Sequence, residues 1–325
     1  MASESPISIY ATSQIDNYLT HISFPTLKYP KPTSETIQTN AKDALEYLTA
    51  LQQHHICAVP FENLSLHYST HRKLSLDKDD LYEKIVGAGN RRGGYCMENN
   101  LFFGTMLRSL GFDVVNIGGK VYGSHGASGW SHQIILLSLS STTYAIDVGF
   151  GAPGPTHPMP LIHNQISKWG ATDAEIRLTY QEPTSPMVQA GIWNYEYRNS
   201  PESVWKKKYC FTQTEFHPAD FAVMNLSTST SPTSCFTYTL LTVRFISGAS
   251  SNSHTLNITG LLILVDKTVK RRVHGKTEVI AEFKTEDERV EALKRYFSIE
   301  LSRKEREAIK GTCAEVSAVE LGLGV

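Results

Sequence analysis

The spacing of apolar residues changes between the first third of this chain and the rest, and this change limits the possible folds more than any other feature. In the first 90 residues apolar side chains recur near the helical period, for example at Ile37, Leu45 and Leu48. They predict helices over 13–19, 34–53 and 76–86, and an amphipathic pattern predicts another over 286–297. From residue 112 onward, β-branched and aromatic segments predict strands over 112–122, 130–137, 143–148, 175–180, 193–197, 205–212, 236–246 and 255–265. This order of elements indicates an α+β fold.

Length and composition exclude several classes of protein. The chain has 325 residues, 41% of them hydrophobic, and a net charge of −1, which indicates two or three globular domains without a general attraction to nucleic acid or anionic membranes. The longest apolar run, residues 260–265, is far shorter than the roughly 20 residues that cross a bilayer. The chain begins without the pattern of a secretory signal, and its five cysteines form no CxxC pair. We therefore expect a cytoplasmic protein with no disulfide framework, no bound metal, and neither a nucleic-acid nor a membrane partner.

One cysteine lies where a helix should begin. Residues 91–96 read RRGGYC, and the apolar residues that follow have helical spacing up to Gly111. Unpaired N–H groups and the positive end of the helix dipole stabilise a thiolate at such a position. We expect Cys96 to be an exposed nucleophile whose positive surroundings are strengthened by Arg91 and Arg92. Glu98 could be catalytic, cap this helix or hold one of the arginines.

A histidine and an aspartate lie in two successive predicted strands, which a polar turn over 138–142 should join into an antiparallel hairpin. A hairpin centred between Leu139 and Ser140 would place His132 directly opposite Asp147, with Cβ atoms about 5 Å apart. Asp147 could then orient one imidazole nitrogen while the other faces a thiol. Cys96, His132 and Asp147 are therefore candidates for a nucleophile, a base and the group that orients the base.

Most cysteines and histidines in proteins have structural roles. We expect a structural role for the other four cysteines and for six of the other histidines. They are Cys57, Cys210, Cys235, Cys313, His54, His55, His67, His71, His125 and His157.

The three candidate residues, in this chain order and within the motifs RRGGYC, SHQIILL and YAIDVGFG, resemble the arylamine N-acetyltransferases. The segment PFENL at 60–64, the segment TSPTSCF at 230–236 and EFKT at 282–285 are also similar to that family. The resemblance covers most of the chain and implies three parts around a core that resembles a cysteine-protease triad. These are a helical domain over 1–95 that ends at the nucleophile, an antiparallel β-barrel domain over 96–210, and an interdomain segment with an α/β lid over 211–325.

The resemblance also implies a chemistry. An acetyl or malonyl group would pass from acyl-CoA to Cys96 and then to an aromatic amine or hydrazine by a ping-pong mechanism, with no permanently bound cofactor. Matched motif positions imply that Ser128, Gly129, Thr230 and Ser234 line the CoA channel and that Phe150 lines the amine pocket. The family's role implies detoxification of xenobiotic amines by a monomeric enzyme.

Basic side chains should gather where CoA phosphates enter, and two runs are candidates. They are residues 206–208 and Lys267 with residues 270–272, although either run could be an ordinary solvated surface. Arg91 or Arg92 could in principle pair with the carboxylate of a malonyl group. The tail over 311–325 and a Ser-rich loop over 247–253 have no match in the family pattern.

Two alternative functions remain compatible with the sequence. The same three residues could serve a cysteine hydrolase or a transglutaminase-like enzyme, because such triads recur on unrelated folds. A non-catalytic protein that binds CoA or an aromatic ligand is the third hypothesis, and it predicts that replacing Cys96 has no effect.

Overall fold

The computed structural model describes residues 10–87, 89, 91–187, 190–248 and 256–316. It has the α+β composition that the sequence predicts, with a group of helices followed by two antiparallel sheets. Among the described residues, every helix is too short or too polar to cross a bilayer.

Helices dominate the first 110 residues. They are α1 Thr12–His21, α2 Ser34–Thr39, α3 Ala41–Ala58, α4 Leu64–His67, α5 Lys78–Tyr82 with a π turn at Glu83–Gly87, and α6 Cys96–Ser109. The single helix predicted over 34–53 is in fact two helices. Asn40 separates them, because its side chain accepts a hydrogen bond from the Asp43 N–H and so caps the start of α3.

Within the described ranges, the central sheet has nine antiparallel strands. They are β2 Val114–Gly123, β3 Gly126–Ala127, β4 His132–Leu139, β5 Thr142–Ile146, β6 Met159–Pro160, β7 Ile166–Lys168, β8 Glu175–Gln181, β9 Ile192–Arg198 and β10 Lys206–Glu215. Their order is β6-β5-β4-β2-β10-β9-β8-β7, with β3 paired to β2. The predicted antiparallel β-barrel is therefore confirmed only in part: within the described residues the strands form one antiparallel sheet that stays open, with the short strands β6 and β7 as its two edges.

A second sheet of five strands forms after the central one. Its members are β1 Phe61–Glu62, β11 Leu241–Gly248, β12 Asn257–Val265, β13 Thr268–Val273 and β14 Lys276–Glu282, in the order β1-β11-β12-β13-β14. Strands β13 and β14 were not predicted from the sequence, and the strand predicted over 236–246 begins too early, since Cys235–Thr237 is a 3₁₀ turn. The edge strand β1 belongs to the PFENL segment, so the N-terminal part of the chain completes a sheet from the C-terminal part.

Three further helices complete the described structure. They are α7 Pro218–Thr230, α8 Glu286–Phe297 and α9 Arg303–Ala308. The bounds of α8 agree with the prediction, while α7 and α9 were not predicted.

Two hydrophobic cores support these elements. The larger core contains side chains from Tyr10 to Leu261 and joins the N-terminal helices to the central sheet. The smaller core joins α8 to the second sheet and also contains Leu64 and Tyr68 from the N-terminal part. Strand β10 runs past residue 210, where one domain boundary was placed, and the division at 95 and 210 stays a prediction.

Candidate active site

Cys96 is the first residue of α6, as its sequence setting predicts. Tyr95 precedes the helix in an extended conformation, and its N–H donates to Oε2 of Glu98 at 3.1 Å. Glu98 therefore caps the helix. Its other oxygen accepts from Lys84 at 2.7 Å, so Lys84, rather than an arginine, is its cationic partner.

The Cys96 side chain is buried, and the expectation of an exposed thiol is wrong. Only 5% of the residue's surface is accessible, and Sγ lies 3.5 Å from the carbonyl oxygen of Ser131. On another side the backbone at Gly149 comes very close. A Cβ added to Gly149 would lie 2.7 Å from the carbonyl oxygen of Cys96 and 2.8 Å from its Cα. Only glycine allows this approach, which brings the turn after Asp147 against the start of α6.

The hairpin of β4 and β5 has a different register from the predicted one. Leu139 pairs with Thr142, so the turn contains only Ser140 and Ser141, and Ser140 has a left-handed φ of 52°. The centre of the hairpin lies between these two serines, one residue later than expected. A direct pairing of His132 with Asp147 is therefore wrong, and Asp147 lies just beyond the end of β5.

His132 and Asp147 nevertheless meet, because the register differs by two residues and such a shift keeps both side chains on one face. The carboxylate reaches the ring diagonally across the hairpin. Nε2 of His132 lies 2.7 Å from Oδ2 of Asp147, and both residues are almost completely buried. The ring nitrogen that remains for the Cys96 sulfur is Nδ1.

The charges of this pair shift both pKa values. Burial opposes the charged form of His132, but the Asp147 carboxylate and hydrogen bonds with Asp147 and the Cys96 sulfur outweigh it and raise the pKa of His132 from 6.5 to about 10. Burial likewise opposes ionisation of Asp147, but His132, Asn100 and the Gly149 N–H hold the pKa of this carboxyl below its ordinary value. The pair is therefore imidazolium and carboxylate at neutral pH.

Asn100 is a site residue that the sequence analysis missed. Its Nδ2 donates to Oδ1 of Asp147 at 2.9 Å and to the carbonyl oxygen of Gln133 at 2.7 Å. Its Oδ1 accepts the Val148 N–H at 2.9 Å. Asn100 follows Cys96 by four residues on the same helix, and residues at this spacing share a face. That spacing is a signal that could have identified it.

The two arginines of the RRGGYC motif make contacts away from Cys96. Arg92 is buried, and its guanidinium contacts Glu62 at 3.0 Å and Glu305 at 2.8 Å. Arg91 has a left-handed φ of 56° and donates to the carbonyl oxygen of His21 at 3.3 Å. Two carboxylates therefore neutralise Arg92, and Arg91 contacts α1 instead.

Aromatic rings surround the imidazole. The ring centroids of Phe150 and Tyr209 lie 5.5 Å and 4.9 Å from that of His132, and they lie 5.0 Å from each other. Tyr195 stacks on Tyr209 at 4.8 Å. Phe150, predicted to line the amine pocket, is half-buried beside His132.

The four residues predicted for the CoA channel lie on two segments. Ser128 and Gly129 are exposed in the loop before β4, where Oγ of Ser128 accepts the Val121 N–H at 2.9 Å. Thr230 ends α7, and its hydroxyl donates to the Leu226 carbonyl at 2.6 Å. The Ser234 hydroxyl donates to the Thr228 carbonyl at 2.6 Å. All three hydroxyls thus have local partners, and a Cβ at Gly129 would meet nothing within 4 Å.

The two basic runs come together in part. Nζ of Lys208 lies 5.9 Å from the ring centroid of Tyr197, whose hydroxyl accepts from Arg272 at 2.7 Å. Burial and the neighbouring charges of Lys206 and Arg272 lower the pKa of Lys208. Arg271 instead pairs with Glu278 across β13 and β14.

Known proteins resemble this chain over most of its length. A family model described as N-acetyltransferase matches residues 44–306. The N-malonyltransferase FDB2 of Gibberella moniliformis is 34% identical over 92% of this chain and 92% of its own. Arylamine N-acetyltransferase 2 of Macaca mulatta is 31% identical over 80% of this chain and 89% of its own. The solved structure of the Nocardia farcinica arylamine N-acetyltransferase has a TM-score of 0.75 and 27% identity, over 97% of this chain and 99% of that one.

These similarities cover both the segment with Cys96 and the segments with His132 and Asp147. The resemblance inferred from the motifs is therefore confirmed. The chain belongs to the arylamine N-acetyltransferase family and is an acyltransferase that depends on acyl-CoA.

Proposed function

We propose that the chain transfers a short acyl group from acyl-CoA to an aromatic amine or hydrazine through an acyl-Cys96 intermediate. The observation that carries this proposal is the convergence of a buried sulfur, an imidazole and an ionised carboxylate at the start of one helix. A charged imidazole with a carboxylate behind it favours the thiolate form of an adjacent cysteine. The assignment of catalytic roles to Cys96, His132 and Asp147 belongs to this proposal.

The first half-reaction acylates the cysteine. The Cys96 sulfur attacks the thioester carbonyl carbon, a new carbon–sulfur bond forms, and the bond to the CoA sulfur breaks. The departing CoA sulfur takes the proton from Nδ1 of His132. Backbone N–H groups in the first turn of α6 are suitable donors to the oxyanion, since a helix leaves its first N–H groups without internal partners.

The second half-reaction returns the enzyme to its starting state. The amine nitrogen attacks the carbonyl carbon of acyl-Cys96, the carbon–nitrogen bond forms, and the bond to Sγ breaks. His132 takes the proton that the nitrogen loses and becomes imidazolium again. Asp147 holds Nε2 throughout, so that the proton always exchanges at the nitrogen that faces the sulfur.

Surrounding residues support the two substrate classes. Phe150 and Tyr209 form an apolar wall beside His132 against which an aromatic amine can pack. For CoA we propose Ser128 and Gly129 from one segment and Thr230 and Ser234 from the other. The hydroxyls of Thr230 and Ser234 already donate to backbone carbonyls, and that of Ser128 is hydrogen-bonded to the Ser131 hydroxyl. Toward CoA these three hydroxyls would therefore act as acceptors.

Malonyl-CoA is one candidate acyl donor, since the relative from Gibberella moniliformis at 34% identity is named an N-malonyltransferase. Acetyl-CoA is the other candidate. The carboxylate of a malonyl group would need a partner other than Arg92, which already contacts two carboxylates, and other than Arg91, which contacts α1.

The direct test is intact-protein mass spectrometry after mixing with malonyl-CoA or acetyl-CoA in the absence of an amine. We expect one acyl adduct, located on Cys96 by peptide mapping and released when an aniline is added. A Cys96→Ala variant should form no adduct, and Cys235→Ala, which removes an exposed cysteine, should behave like the wild type. Cleavage of a peptide panel without any adduct would instead favour the hydrolase.

A further inference from the structure

A cavity of about 300 Å³, apart from the candidate active site, contains two arginines that have no acidic partner within the described residues. It lies between α1, the end of α3, β11 and the end of α8, and none of the proposed catalytic residues lines it. The polar residues in its lining are His21, Ser23, His54, Cys57, Arg91, Arg244, Ser247 and Ser298.

The two guanidinium groups line the same cavity, and no carboxylate of the part of the chain that the structure describes pairs with either of them. Among the described residues, the only side-chain or backbone acceptors of their hydrogen bonds are neutral oxygens. Arg91 donates to the His21 carbonyl, and Arg244 donates to Oγ of Ser298, both at 3.3 Å. Burial, together with the charge of Arg91, lowers the pKa of Arg244. Arg91 is exposed and Arg244 is half-buried, so the cavity presents two like charges that one bound anion could pair with.

The histidine in this cavity has an unused hydrogen-bonding atom. Nε2 of His21 is buried and has no hydrogen-bond partner among the residues that the structure describes. Burial and the charge of Arg91 lower the pKa of His21 to about 4, so the ring is neutral at pH 7. A buried polar atom without a partner costs free energy that a ligand can recover.

The remaining residues show why the cavity is not a second nucleophilic site. Cys57 lies in its wall, but burial, only partly offset by Arg244 and Ser247, raises the pKa of this thiol to about 12. Cys57 is therefore a neutral thiol at pH 7. The charge that the cavity offers to a ligand comes from its arginines.

We propose that this cavity binds a phosphate-type oxyanion, either inorganic phosphate or a small phosphate monoester. A phosphate group carries up to two negative charges, which would neutralise both guanidiniums, and its several oxygens match their forked donors. The hydroxyl of Ser298 and Nε2 of His21 can supply further donors. The cavity is at the small end of the range for ligand sites and has room for a compact organic group.

The test is isothermal titration calorimetry of the full chain in a phosphate-free buffer, with inorganic phosphate and glycerol 2-phosphate as probes. We expect saturable binding at one site, and whichever probe binds more tightly identifies the source of the phosphate group. Arg91→Gln should weaken binding at least about tenfold because Arg91 donates one of the two forks. Arg244→Gln should do the same, and Arg91 is exposed, so its replacement should not impair folding.

Two controls make the result specific. Arg72→Gln removes the same charge at an exposed position outside the cavity and should leave binding unchanged. Cys96→Ala should also bind the probes like the wild type, because the measurement does not depend on acyl transfer. The proposal is wrong if the wild type shows no saturable binding, if Arg91→Gln and Arg244→Gln both bind normally, or if malonate binds as tightly as phosphate.

Discussion

At the scale of single residues, the candidate site depends on how Asp147 is held. Oδ2 of Asp147 faces His132, while Oδ1 accepts from Asn100 at 2.9 Å and from the Gly149 N–H at 2.8 Å. A buried carboxylate needs such donors because it has lost its water. Asn100 and Gly149 are therefore positioning residues that act through Asp147.

Replacing Asn100 by alanine should impair acylation more than it impairs folding. The change removes one donor to Asp147 and leaves the Gln133 carbonyl and the Val148 N–H without their partner. We expect a loss of about 1–3 kcal/mol of stability and a fall of roughly tenfold or more in the rate of acyl-Cys96 formation, measured by rapid quench and mass spectrometry. Asn99→Ala is the matched control, since the neighbouring Asn99 donates to the Pro60 carbonyl and not to the triad. Equal rates in the two variants would contradict a positioning role for Asn100.

Gly149→Ala tests the close approach of the turn to α6. The new methyl group would lie 2.7 Å from the Cys96 carbonyl oxygen, so the two segments would have to separate. We expect a loss of about 1–3 kcal/mol of stability, as for other overpacked sites, and a large loss of acylation. Gly123→Ala, at a glycine with nothing within 4 Å of the added Cβ, should unfold at the same urea concentration as the wild type. Normal acylation by Gly149→Ala would show that this approach is not required.

The His132–Asp147 ion pair should make stability depend on pH in a definite direction. The pKa of His132 is raised from 6.5 to about 10 in the fold, so its contribution is complete below about pH 6.5 and disappears as pH rises through 10. Asp147 has a lowered pKa in the fold, so its own contribution to stability is lost only as the pH falls into the acid range where this carboxyl is protonated. The stability difference between wild type and Asp147→Asn should therefore shrink as pH rises from about 6 to 10 in urea unfolding experiments. An exposed control, Asp173→Asn, should show no such trend, and a constant difference for Asp147→Asn would refute the ion pair.

At the scale of elements, the sequence predicted well those helices and strands whose ends carry a local signal. Helix α8 has a capping Thr285 and a clear apolar stripe, and α6 ends at Ser109, two residues before Gly111 with its positive φ. Helix α7 was missed because its Ser- and Thr-rich sequence has weak helical preference, although Pro218 at its first position favours a helix start.

Local sequence patterns could not predict features that depend on residues distant in the sequence. The hairpin register was wrong because the turn length depends on a left-handed Ser140, a conformation that serine seldom adopts. Whether the central sheet closes depends on which strands pair with each other. The contact of Arg92 with Glu305 likewise joins two residues that are far apart in the sequence. The candidate triad could be identified because its three residues lie in recognisable motifs, whereas the burial of Cys96 follows only from packing.

The PFENL segment should stabilise the fold by binding the N-terminal part of the chain to the segment over 236–241. Nδ2 of the buried Asn63 donates to the carbonyls of Phe236 and Thr239, and its Oδ1 accepts the Leu241 N–H at 2.8 Å. Asn63→Ala leaves these backbone groups without partners, and we expect it to lower stability by about 3 kcal/mol in urea unfolding. Asn17→Ala, at an exposed position of α1, should change stability by less than about 0.5 kcal/mol. Similar stability of both variants would mean that the hydrogen bonds of Asn63 do not stabilise the fold.

At the scale of the whole molecule, the smaller core is closed by a buried arginine that joins three distant parts of the chain. The Arg289 guanidinium pairs with Glu286 on its own helix, donates to the Tyr68 hydroxyl at 3.1 Å, and donates to the Ala314 carbonyl at 2.8 Å. Glu286 also accepts the Val316 N–H at 3.1 Å. The segment after α9, which has no match in the family pattern, is thus fastened to the N-terminal part through Arg289.

Removing this segment should therefore destabilise the protein. A truncation after Lys310 deletes Ala314 and Val316, whose side chains are buried, and leaves Arg289 and Glu286 each without one hydrogen-bond partner. We expect a loss of about 3 kcal/mol, since each unmet buried hydrogen bond to a charged group costs about 1–3 kcal/mol, and a fall of several degrees in Tm by differential scanning calorimetry. A truncation after Val316 keeps all of these contacts and should melt close to the full chain. If the two truncated proteins melt at the same temperature, the segment over 311–316 does not stabilise the smaller core, and the remaining contacts of Arg289 with Glu286, the Tyr68 hydroxyl and the Asp266 carbonyl are sufficient.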